Sequence, residues 1–180
     1  IERYEGEEAF QKYMKDAATR VFAFEKTSAA PIFDRDTEEL MSLLNPNSYQ
    51  KGSWVLHMLR TSLGDDAFFR GIRSYYAAHK NATASTEDLR AALEKASGRD
   101  LRTFFTRWVY EGGHPRYELS WEWVAQKELR LALRQVQSGE AFLDAVPLTI
   151  MTATGKREVV LKPRGKELTE TIKLSEKPLR

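Results

Sequence analysis

Phe105-Thr106-Arg107-Trp108-Val109-Tyr110-Glu111-Gly112-Gly113-His114-Pro115-Arg116-Tyr117-Glu118-Leu119-Ser120-Trp121-Glu122-Trp123 is where the chain changes architecture. Before the glycine pair, Phe105, Trp108 and Val109 recur at three- and four-residue steps, the mark of one helical face. After Pro115, Tyr117, Leu119, Trp121 and Trp123 alternate with Glu118, Ser120 and Glu122, as a half-buried strand requires. Gly112-Gly113-His114-Pro115 separates the two periods and is the clearest punctuation in the sequence. The change predicts an α+β protein: a helical region over residues 1–115, then a small antiparallel β-sheet or sandwich over 116–180.

Working upstream, the helical reading holds. From Glu7 onward Phe10, Tyr13, Met14, Ala17, Val21 and Phe24 share one face, and Ala29-Ala30-Pro31 is expected to end that helix. A loop with one short helical turn between Asp36 and Leu44 follows. A second helix starts near Ser48 and carries Trp54, Val55, Leu56, Met58, Leu59 and Leu63; its wide apolar arc predicts burial on two sides. Asp65-Asp66 opens a third helix at the end where the dipole favours negative charge. Ser85 and Asp88 form a capping box for a fourth, closed by Gly98, and Asp100 caps a fifth.

Downstream, Leu129, Leu131 and Leu133 alternate with polar residues, and strands are expected at Val146 to Met151, Arg157 to Leu161 and Leu168 to Leu174. A region of about 65 residues is marginal on its own and is expected to lean on its neighbours.

Composition excludes several classes. The 180 residues contain no Cys, so neither a disulfide framework nor a Cys-based zinc site exists. The net charge is +2 and spread out: 12 basic against 9 acidic residues from Arg116 onward, 16 against 17 before it. A nucleic-acid partner would call for a basic stripe, and none is present. The apolar runs are too short for a membrane span, and no signal peptide opens the sequence, so a soluble protein is expected; the lack of cysteine fits cytoplasm and periplasm alike and leaves the compartment open. The chain begins at Ile1, in mid-pattern, which predicts a piece of something longer.

General catalytic signatures are missing: no H-E-x-x-H, no phosphate loop, no G-x-S-x-G. His57, His79 and His114 are far apart, His57 on the polar side of its helix, and each reads as a surface or packing residue. The tryptophans and phenylalanines fall at core periods. Asp65-Asp66 and Glu38-Glu39 read as helix-end and solvated charges, and Asn81-Ala82-Thr83 as a chance glycosylation pattern.

One segment carries more. Asn47-Ser48-Tyr49-Gln50-Lys51-Gly52-Ser53-Trp54-Val55-Leu56-His57-Met58-Leu59-Arg60 resembles the tyrosine-bearing helix of zinc aminopeptidases of the membrane-alanyl-aminopeptidase (gluzincin) type. The stretches after it fit in order: Leu63-Gly64-Asp65-Asp66, Thr86-Glu87-Asp88-Leu89, Ser97-Gly98-Arg99-Asp100-Leu101, Phe104-Phe105-Thr106-Arg107-Trp108 and Gly113-His114-Pro115. The likeness runs from about Glu7 to about Trp123, and the later strands fit by type only.

The resemblance implies that the helical region is the C-terminal half of a thermolysin-like catalytic domain. It also implies a zinc-dependent removal of N-terminal residues from peptides. Tyr49 would hydrogen-bond the oxyanion formed at the first peptide carbonyl, and the zinc ligands would precede the matched region. The chain itself is then expected to hold no zinc and to be inactive alone, with the missing N-terminal part of the domain as its partner, the intact protein using zinc and peptide substrate. Gln50 stands where relatives commonly have an acidic residue, and Lys51 is expected to position the helix or a nearby loop. The other reading is a non-catalytic scaffold of the same fold, for which the Tyr49 phenol has no use.

Overall fold

The computed structural model describes residues 2–124 and 127–179. It divides into two compact units, Ile1–Gly113 and His114–Arg180.

The first unit contains five α-helices among the described residues. In α1 (Glu2–Phe24), Met14, Ala17 and Val21 are buried at the expected spacing. The helix breaks at Gly6, whose φ of 87° suits only a residue without Cβ. The turn before the break, not foreseen from the periodicity, carries Glu2, which chelates Arg60 together with Asp65. At its other end α1 stops at Phe24, five residues short of Ala29. The Phe24 carbonyl there accepts from both Thr27 N–H and Ser28 N–H at 3.1 Å. Glu25, just past this end, keeps its own helical bond to the Val21 carbonyl at 2.9 Å and places its carboxylate in a buried ion pair with Lys51.

A 3-10 turn spans Leu40–Leu43. A π-helical turn, Asn47–Lys51, leads into α2 (Gly52–Leu63). Val55 and Leu59 are buried, but Leu56 on the other side of the arc is exposed, so this chain covers only one of the two sides expected. His57 does not lie on a polar face. It packs edge-on against Phe10 at 5.1 Å and Trp54 at 5.8 Å, because Trp54 Nε1 donates to the Met14 carbonyl and pulls α1 and α2 together.

Helices α3 (Asp65–His79) and α4 (Thr86–Ser97) approach closely where Gly71 faces Leu93. The capping box forms in full: Asp88 N–H donates to Ser85 Oγ at 3.1 Å and Ser85 N–H to Asp88 Oδ2 at 2.8 Å. Gly98 closes the helix in the left-handed region at φ 70°. Ser85→Ala is expected to cost about 1 kcal/mol, seen as a melting temperature lower by about 4 °C, whereas Ser85→Gly should cost only a few tenths. Equal melting of both variants and wild type would show the box to be energetically idle.

The last helix, α5 (Arg102–Phe105), starts where Asp100 Oδ1 accepts from Arg102 N–H at 2.9 Å. It passes into a second π-helical turn, Thr106–Tyr110, that buries Trp108 and Val109 beside Phe105.

In the second unit, β1 (Tyr117–Val124), β2 (Glu128–Gln135) and β5 (Glu167–Lys173) form an antiparallel sheet in the order β1-β2-β5. Strands β3 (Val146–Met151) and β4 (Lys156–Leu161) form a second antiparallel pair. Leu129, Leu131 and Leu133 of β2 meet Ile150, Leu161 and Ile172 in one core shared by both sheets. Strand β1 is an edge, and Leu119 and Trp121 on it stay 46% and 41% exposed; two opposing strands are too few to cover them. Buried Gln135 fastens the segment after β2: its amide nitrogen donates to the Phe142 carbonyl at 2.7 Å, and its oxygen accepts from Phe142 N–H at 2.9 Å.

Candidate functional site

The π-helical turn Asn47–Lys51 begins on an Asn-Pro-Asn signal. Asn45 Oδ1 accepts from the backbone N–H of Asn47 at 2.8 Å and of Ser48 at 3.1 Å, satisfying donors that a helix start leaves unpaired. At the exit of the turn Gly52 N–H reaches the carbonyls of both Asn47 and Tyr49, and Ser53 Oγ donates to the Tyr49 carbonyl at 2.9 Å. Turns of this width inside helices concentrate at functional sites, because they aim side chains that a regular helix cannot.

Each flank of the turn is sealed. Asn47 is wholly buried, and its Nδ2 donates to the Ala30 carbonyl at 2.7 Å. Lys51 is buried as well; its Nζ donates to Glu25 Oε1 at 2.8 Å and to the Gly113 carbonyl at 2.6 Å. Between these anchors Tyr49 stands 56% exposed. It lines an open depression of about 500 Å³ with Ala23 and Phe24 from the end of α1, Leu44, Pro46 and Gln50. Leu40, Met41 and Leu44 form an exposed apolar stretch before the turn. A Cβ added to Gly52 would touch nothing within 4 Å, so the space over this residue is open, as its lack of a side chain suggested.

A second phenol shows the contrast. Tyr110 lies at a separate depression of about 440 Å³ with Pro31, Phe33, Asp34, Arg35 and Asp36. Its hydroxyl is committed to Glu87 Oε1 at 3.0 Å. Burial first, and then the Glu87 carboxylate, push this phenol above its ordinary value. No such partner meets the Tyr49 hydroxyl among the described residues.

The structure does not gather the histidines. His57 is packed between aromatic rings, His79 turns its Nδ1 toward the Thr83 carbonyl at 3.3 Å, and His114 belongs to the other unit. Among the described residues no three of His, Asp or Glu converge as a metal ion would require. The zinc implied by the resemblance is therefore not fitted by the described residues of this chain.

Sequence reasoning missed Glu25 and the Gly113 carbonyl as partners of Lys51. They lie 26 and 62 positions away, beyond any local pattern. The burial of Asn47 had one faint signal, the turn-forming Asn-Pro before it.

The chain is similar to known proteins in sequence and in fold. The Peptidase family M1 domain matches residues 1–108. Aminopeptidase N of Lactococcus lactis subsp. lactis is 42% identical over 67 residues, which make up 37% of this chain and 8% of that protein. Tricorn protease-interacting factor F2 of Thermoplasma acidophilum is 26% identical over 166 residues, 88% of this chain and 20% of that protein. The chain thus spans a fifth or less of the length of these relatives. A crystal structure of Legionella pneumophila aminopeptidase A in complex with aspartic acid superposes with a TM-score of 0.68 at 14% identity. It covers 92% of this chain and 21% of that one, a likeness of fold alone.

Proposed function

This chain belongs to peptidase family M1, and we propose on that footing that it forms one wall of an aminopeptidase active site in a longer protein. Tyr49 is the group it contributes. The exposed phenol between two buried anchors is the observation that carries this reading. A phenol O–H is a hydrogen-bond donor that a carbonyl oxygen can accept from. When water attacks the first peptide carbonyl, negative charge grows on the carbonyl oxygen. A fixed donor that meets that oxygen favours the transition state over the substrate. The open space over Gly52 lets a peptide backbone approach the phenol.

In this reading the intact enzyme uses zinc, held by residues other than those described, and the isolated chain is inactive. The full-length protein is expected to release aniline from an alanine or leucine anilide, and to stop on treatment with a chelator and resume when zinc is returned. An intact anilide after prolonged incubation of well-folded protein would favour the scaffold reading instead.

A further inference from the structure

We infer that Lys51, Glu25 and Asn47 are positioning residues for the Tyr49 hydroxyl, a polar clamp that holds the π-helical turn in the one register that presents the phenol; this rests on the reading of Tyr49 given above.

Three observations support the clamp. Asn47, Lys51 and the Glu25 side chain that pairs with Lys51 are all buried, and the first two flank Tyr49 in a five-residue turn. The partners of the turn come from three separate places in the sequence. These are Glu25 just past α1, the Ala30 carbonyl in the following loop and the Gly113 carbonyl. The loop itself passes close to Gly112, where an added Cβ would lie 1.8 Å from the Ala29 oxygen.

A buried ion pair is an expensive way to gain stability, since well-packed apolar residues of similar size often do as well or better. What apolar packing does not supply is register. A π-helical turn competes with the regular helix that its own sequence could form, and only directional bonds at each end specify the wider one. Held so, the phenol meets a developing oxyanion without having to be ordered during the reaction.

The test uses the full-length protein and an alanine anilide. Lys51→Met combined with Glu25→Leu removes both buried charges and keeps volume. The melting temperature is expected to stay within about 3 °C. The kcat should fall at least about tenfold while KM changes less than about twofold, the signature of an interaction made in the transition state. Adding Tyr49→Phe to that pair should lower kcat less than about threefold further, because a mispointed phenol has little left to lose. Asn47→Ala releases the other flank with both charges in place and should give the same kcat loss and the same non-additivity.

Unchanged kcat in these variants overturns the clamp and leaves Tyr49 standing. So does a Tyr49→Phe loss of equal size in both backgrounds. If neither flank variant folds, the anchors serve stability and the positioning role is wrong. A harmless Tyr49→Phe in the otherwise unaltered protein sinks the reading beneath it instead.

Discussion

Tyr49→Phe in the full-length protein is expected to lower kcat on an alanine anilide by about 10²–10³, with KM nearly unchanged. On the reading proposed above, the magnitude is that of removing one hydrogen-bond donor to an oxyanion. The same substitution should leave the melting temperature where it was. The phenol is exposed, its hydroxyl bonds to no described residue, and the substitution keeps the ring. A tyrosine with a structural role would behave in the opposite way, losing about 0.5–1.5 kcal/mol of stability with turnover intact. The two outcomes are far enough apart for one preparation of protein, one calorimetric trace and one progress curve to separate them. Loss of both properties together would mean that the turn depends on the hydroxyl in a way this geometry does not contain.

Gly112→Ala should produce the largest loss of stability. The added Cβ would stand 1.8 Å from the Ala29 oxygen and 2.7 Å from its carbonyl carbon, and both are backbone atoms with no rotamer by which to escape. Relief requires moving either the Ala29–Ala30 loop or the exit of the second π-helical turn, and each of these carries an anchor of the Tyr49 turn. Overpacking against backbone is expected to cost about 3 kcal/mol, or a drop of about 10 °C in melting temperature. Gly52→Ala serves as the comparison: nothing lies within 4 Å of its Cβ, so the substitution should not destabilise the protein. If Gly112→Ala melted like wild type, the close crossing of the two segments would be wrong.

The features that were legible in the sequence are those whose causes are local. The Ser85–Asp88 box and Gly98 were readable because capping works over three or four residues. The alternation of Val146 to Met151 gave its strand for the same reason, and so did the run of Leu129, Leu131 and Leu133. The misreadings arose where a distant partner decided the matter. The glycines at 112 and 113 read as punctuation, while the real constraint on Gly112 is a carbonyl far back in the chain. The packing of His57 followed from a tryptophan bond to α1, and exposed Trp121 from the small number of strands opposite. For the site, the motif around Tyr49 pointed to the turn through its family resemblance. Composition and spacing alone had left this tyrosine as one ring among many.

Gln135 illustrates a different kind of constraint. Its carboxamide offers one acceptor and one donor to the two main-chain groups of Phe142, so a single side chain does the work of an adjoining peptide unit. Size is the lesser requirement there. Glutamate matches the shape but presents two like lone-pair oxygens, lysine presents donors only, and methionine presents neither. The position therefore selects for amide chemistry, and it belongs with the residues that a redesign of this sheet should leave alone.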